Sequence, residues 1–353
     1  MQSKGPVAKP RFDWKNSSLV VVGAILLAVA IGWSILWFVA SRQSVAILTT
    51  WMTKEAQHGR IWACPNQKIG GYPFTVAVSC TDLLFQGEVF GKRLTGTVHG
   101  FRATAPLLRT DGMFAEMDPP FAAKSSDGTL DVAAQWTYLA LDLEGQPETF
   151  ERISLIGDGV VLQGTVGGTD VIQGKAADFH SYVVLAGNRH DYAYDFMFGF
   201  NDGSFPALNS FLDTQLPVSA SFGGVISQAD ITGVQTLTDF LEKWRTANGR
   251  VDITSARLKS GTISFNATGS LDLDDQHRVK GKLDTEFGGL DKALRHLNVD
   301  PALLTVGQVL SGILGNGGNQ GATAGRLKLP LTVSDGRVSI GPVRTSIEVP
   351  PLY

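Results

Sequence analysis

The chain has 353 residues, of which 43% are hydrophobic and 18% charged, with a formal net charge of −3 and a pI near 6.1. That balance excludes a disordered or collagen-like chain, and the chain as a whole lacks the basic excess that nucleic acid binding requires. The 40 glycines recur between short alternating runs, the pattern of many turns and bulges in a β-rich fold of one large or two ordinary domains.

Residues 1–17 read as a cytoplasmic tail. Ser18–Ala40, SLVVVGAILLAVAIGWSILWFVA, carries no charged residue, and as a helix rising about 1.5 Å per residue it is roughly 35 Å long, enough to span a bilayer. A cleavable signal peptide is the alternative, but the run exceeds a usual h-region and Phe38-Val39-Ala40 fits the cleavage rule poorly. Lys4, Lys9, Arg11 and Lys15 precede it, opposed by Asp13 alone, an excess that keeps the N-terminus cytoplasmic. The expected location is therefore a bacterial inner membrane with the main domain in the periplasm, where disulfides persist.

Two cysteines occur, Cys64 and Cys80, at the ends of CPNQKIGGYPFTVAVSC. In an oxidising compartment they are expected to form a bridge worth about 3 kcal/mol in the chain-entropy model. Two buried free thiols are the alternative. Neither a C-x-x-C redox motif nor further Cys or His at metal-ligand spacing is present.

Beyond the anchor, Ser44 as N-cap, Val45, Leu48, Trp51 and Met52 at helical spacing and Gly59 as a stop predict a membrane-proximal helix over 41–59. Gly70, Gly71, Tyr72, Pro73 and Phe74 then form a turn, followed by a strand in which Phe74, Val76, Val78 and Cys80 share one face. Further strands are expected within Thr81–Phe90, Arg93–Leu107, Thr129–Leu143, Ile153–Val166 and Asp178–Leu185, while Leu108–Asp127, containing Pro119-Pro120, reads as a long surface loop. In DYAYDFMFGF, strict alternation places Tyr192, Tyr194, Phe196, Phe198 and Phe200 on one face.

A capping box of Thr236 and Asp239 opens a helix with Leu237, Phe240, Leu241 and Trp244 on one side and Gly249 as its end. It marks a soft boundary between a β-rich region over 60–235 and a C-terminal region of hairpins and helices over 236–353. Ile263, Phe265, Ala267, Leu271 and Leu273, then a turn at Asp274–His277, then Val279, Leu283 and Phe287 describe a hairpin with one buried face. Helices at Leu290–Leu297 and Asp300–Leu314, a glycine-rich link at Gly315–Gly325, and a last hairpin through Leu327, Leu329, Leu331, Val333, Val338 and Ile340 complete the chain. The fold class is mainly β (α+β): one N-terminal transmembrane helix, then a curled antiparallel β-rich periplasmic region with several short helices.

The membrane anchor, the turn Gly71, Tyr72, Pro73, Phe74 with its strand and Cys80, and the terminal LPLTVSDGRVSIGPV (Leu329–Val343) together resemble the uncharacterised bacterial family known as domain of unknown function 2125. The resemblance covers nearly all of the region beyond the anchor. It implies an inner-membrane-anchored periplasmic protein and supplies no catalytic residues. A looser, architectural likeness is to the AsmA-like envelope proteins, β-rich and tethered by one N-terminal helix, which implies an association with lipid movement.

Signatures of the α/β-hydrolases, zinc proteases and P-loop enzymes are absent. His190-Asp191 lacks an evident nucleophile, Asp272, Asp274 and Asp275 lack the glycine and distal glutamate of a calcium loop, and Asn266-Ala267-Thr268 matches a glycosylation acceptor pattern that is common by chance. No cofactor, metal or nucleic acid is expected. The aromatic row Tyr192–Phe200 is either a core sealed by helices or the floor of a hydrophobic groove. The expected function is accordingly non-enzymatic: binding or conveying a lipid or other hydrophobic envelope ligand, with a structural or protein-partner module as the alternative. An envelope hydrolase built on His190 is the least supported reading.

Overall fold

A computed structural model of the chain describes residues 14–89, 92–108, 111–146, 149–187, 189, 191–234, 236–289 and 326–353. Helix α1 (Trp14–Gln57) runs 44 residues without a break, about 66 Å at the helical rise, so the two segments expected as an anchor and a membrane-proximal helix are one rod. Ser44 caps nothing, because the helix does not restart there. Its Oγ donates instead to the Ala40 carbonyl at 3.0 Å, as serines inside helices do. By length and composition α1 qualifies to cross a membrane.

The remaining elements are β1 (Ile61–Ala63), β2 (Lys68–Gly70), β3 (Thr75–Val89), β4 (Lys92–Pro106), β5 (Gly112–Ser125), β6 (Leu130–Gln135), β7 (Tyr138–Gln146), β8 (Thr149–Val166), β9 (Asp170–Leu185), β10 (Tyr194–Gly203), α2 (Pro206–Leu212), β11 (Val218–Ile226), α3 (Leu237–Thr246), β12 (Val251–Ser260), β13 (Ile263–Leu273), β14 (Val279–Gly288), β15 (Arg326–Ser334), β16 (Arg337–Ile340) and β17 (Val343–Glu348). The strands form one 17-stranded sheet. From β8 onward each strand pairs antiparallel with the next in sequence. Before that, β1 and β2 both flank β3, and β6 and β7 share the space between β5 and β8. The architecture is a single antiparallel meander.

The segment read as a loop, Leu108–Asp127, is largely strand β5. Pro119 and Pro120 fall where the β4–β5 ladder shifts register between Val98 and Gly100, a bulge, where a residue without an N–H is tolerated. The Thr129–Leu143 strand is two, β6 and β7, with Trp136 between them donating from Nε1 to the Met117 carbonyl at 2.7 Å. The capping box of α3 is present in full, Thr236 Oγ1 accepting from the Asp239 N–H at 3.1 Å and Asp239 accepting from the Thr236 N–H at 3.0 Å. The ladder continues past the expected 235/236 boundary, since β11 pairs with β12. The helices expected at Leu290–Leu297 and Asp300–Leu314 and the link Gly315–Gly325 lie outside the described residues.

Candidate functional site

In an antiparallel ladder, residues directly opposite one another share a face. Starting from Val78 on β3, the partners run Ala103, Ala115, Leu141, Leu155, Ser181, Phe198, Phe222, Ala256, Ala267, Thr285 and Leu329. One row therefore crosses twelve strands with two polar members, and Thr285 turns its hydroxyl to the Leu329 carbonyl at 2.6 Å. The neighbouring row, from Ser79, runs Arg102, Glu116, Ala140, Ile156, His180, Gly199, Ser221, Arg257, Asn266, Glu286 and Lys328. Across these twelve strands the sheet is apolar along one row and mostly polar along the next.

The aromatic row of β10 sits in the middle of this apolar side, and its members have different environments. Phe200 meets Phe205 at 5.1 Å between ring centres and packs against the buried cluster of Leu212, Val218, Ile263, Phe287 and Ile340, with Leu208 of α2 alongside. This end of the row is core. At the other end Tyr194 is buried, and desolvation, then the charge of Asp230, push its hydroxyl pKa up. Between the two ends the face stays open. Phe198 is 45% exposed and Phe222, directly opposite it, 38%, whereas Phe196 is 8% exposed. The Phe196 ring centre lies 5.8 Å from that of Phe198 and 5.3 Å from that of Phe222.

Tyr192 does not belong to the row. Its φ of 49° is left-handed, which breaks the alternation before β10 begins at Tyr194. Sequence reading missed Phe222, although Val218, Ala220 and Phe222 alternate with Ser219 and Ser221. The following Gly223-Gly224, where β11 and β12 shift register, cuts that pattern short.

The other grouped residues tie the sheet's first edge to α1. Cys64 and Cys80 are joined, with Cα atoms 5.2 Å apart, and the Trp62 ring lies between Trp51 of α1 at 5.6 Å and Phe85 of β3 at 4.7 Å. The turn after Gly70 approaches α1 one stage further toward the N-terminus. Gly71 has φ 93°, and a Cβ there would come within 2.6 Å of Thr75 Oγ1, so this position requires glycine. Tyr72 and Phe74 are exposed and lie against Trp37 and Trp33, 5.6 and 6.2 Å between ring centres.

Asp272, Asp274 and Asp275 are each paired, with Lys280, Arg278 and Arg245, and no group of three or more potential metal ligands occurs among the described residues. His190 lies outside the described residues. What the sheet offers chemically is apolar area interrupted by exposed phenyl rings. The chain matches no curated protein and no solved structure. Residues 37–347 match the family described as "Uncharacterized protein conserved in bacteria (DUF2125)", and because the match spans most of the chain, the chain belongs to that family.

Proposed function

We propose that this is a membrane-anchored, periplasmic, non-enzymatic protein whose one-sided sheet binds or conveys a lipid or another hydrophobic envelope ligand. The observation that carries the reading is the open pair Phe198 and Phe222 at the centre of an apolar face that spans twelve strands. Each methylene laid against such a face contributes about 0.8 kcal/mol, so ten of them give about 8 kcal/mol before the ordering cost of the ligand is subtracted. The anchor supports the location: α1 leaves its apolar run uncovered, and the basic residues before that run favour a cytoplasmic N-terminus.

Native mass spectrometry of the fragment Arg42–Tyr353, exported to an oxidising compartment and purified without detergent, tests the proposal. Reproducible bound lipid that disappears in the Phe198→Asp/Phe222→Asp variant supports it. A folded fragment that is always free of ligand contradicts it. The alternative, a module holding a protein partner, is favoured by β17, which pairs only with β16 among the described residues and so offers an edge for strand addition. A stoichiometric protein adduct without lipid would point there.

A further inference from the structure

We propose that the turn Tyr72–Phe74 is a second membrane contact, a wedge inserted into the leaflet from which α1 emerges. The inference rests on the reading of α1 as a bilayer span. Within α1 the uncharged run Asn16–Ser41 ends at Arg42, the first charge beyond it and so the marker of the water boundary, with its guanidinium 4.4 Å over the Phe38 ring. Trp37 and Trp33 precede Arg42 by five and nine positions, about 8 and 14 Å along the axis. The turn meets the helix at that depth, below the boundary and inside the apolar run.

Its chemistry suits that position. Tyr72 is 57%, Phe74 71% and Leu108, next to the residue that pairs with Phe74, 73% exposed, a cluster unsuited to water. Tryptophan and tyrosine concentrate at membrane interfaces. Backbone entering a bilayer must have its polar groups satisfied, and four carbonyls in and around the turn, those of Gly71, Pro73, Phe74 and Thr75, have donors. Trp33 Nε1 donates to the Pro73 carbonyl and Trp37 Nε1 to the Thr75 carbonyl, both at 2.7 Å. The Phe74 carbonyl accepts from the Leu107 N–H at 2.9 Å and the Gly71 carbonyl from the Thr75 N–H at 3.0 Å. Ser34 Oγ and the Tyr72 hydroxyl pair at 3.0 Å. Indole donors from the helix thus do for this turn what water would do elsewhere. The consequence for the ligand reading is positional: the stripe Val76, Val78, Cys80 begins two residues after the wedge, so the apolar face starts at the leaflet.

The test uses the full chain, disulfide intact, in nanodiscs of phosphatidylethanolamine and phosphatidylglycerol, with the environment-sensitive fluorophore NBD attached at Phe74→Cys. Companion labels are placed at Leu27→Cys, mid-anchor, and at Lys259→Cys, on the polar side of β12. Phospholipids brominated along the acyl chain are expected to quench positions 27 and 74 and leave 259 unaffected. Adding Trp33→Phe and Trp37→Phe should reduce quenching at 74 several-fold with 27 unchanged. Quenching at 27 with none at 74 overturns the wedge and leaves the anchor standing; no quenching at either position overturns the anchor reading and the wedge with it.

Discussion

At the residue scale, neighbouring phenylalanines on one strand have different roles. Phe196 is 8% exposed and touches both Phe198 and Phe222, while Phe198 is 45% exposed. Truncating a buried phenylalanine removes transfer energy and leaves a cavity, a loss of about 3–5 kcal/mol, whereas a half-exposed ring leaves little cavity. Phe196→Ala is therefore expected to lower stability by about 3 kcal/mol or more, and Phe198→Ala by about 1 kcal/mol or less, in denaturant unfolding followed by far-ultraviolet circular dichroism. Equal losses would mean that Phe198 is core, and the open face would lose its centre. The alternation of β10 was legible in the sequence because it is local. The split within it was not, because Phe200 packs into the cluster with Leu208 and Leu212 of α2 and Ala229 donates its N–H to the Tyr192 carbonyl just before the Tyr194 end, both from later in the chain.

At the scale of elements, α3 was readable because its signals lie within one turn: the Thr236–Asp239 capping box fixes its start. The hairpin of β13 and β14 was readable for the same reason, with ten successive registered pairs around a short turn. The element most misread was β5, since two adjacent prolines read as a break unless the neighbouring strand accommodates a bulge, which β4 does at Val98–Gly100. The ion pairs around α3 make a pH prediction. The hydrogen bond from Lys243, with those from Thr232, lowers the Asp230 carboxyl to about 2. The side chains of Arg245 and Tyr353 lower Glu242 to about 2. Both folded values lie below the ordinary carboxylate range, so their stabilisation is complete above about pH 4.5 and is lost as the pH falls toward 2. Acid titration of the thermal midpoint should show that decline, and Asp230→Asn/Glu242→Gln should flatten it. The first edge of the sheet carries its own prediction: Cys64→Ser/Cys80→Ser is expected to lower stability by about 3 kcal/mol through the freed loop, measured by the same unfolding assay under non-reducing conditions.

At the scale of the whole molecule, one rod and one sheet divide the work. The rod supplies the apolar run and the indoles that hold the turn, and the sheet presents a single apolar side from β3 to β15. The sequence revealed both parts but not their junction, because the contact between Trp33 and Phe74 spans forty-one positions and leaves no periodic trace. The measurement that tests the central claim most directly is site-specific photo-crosslinking of the full chain in living cells. A benzophenone amino acid is placed in turn at Phe198 and Phe222 on the open face and at Arg257 and Asn266 on the polar side. Lipid adducts at 198 and 222, with none at 257 and 266, are the predicted result. Adducts that are absent from the open face, or equally frequent on both sides, would contradict it.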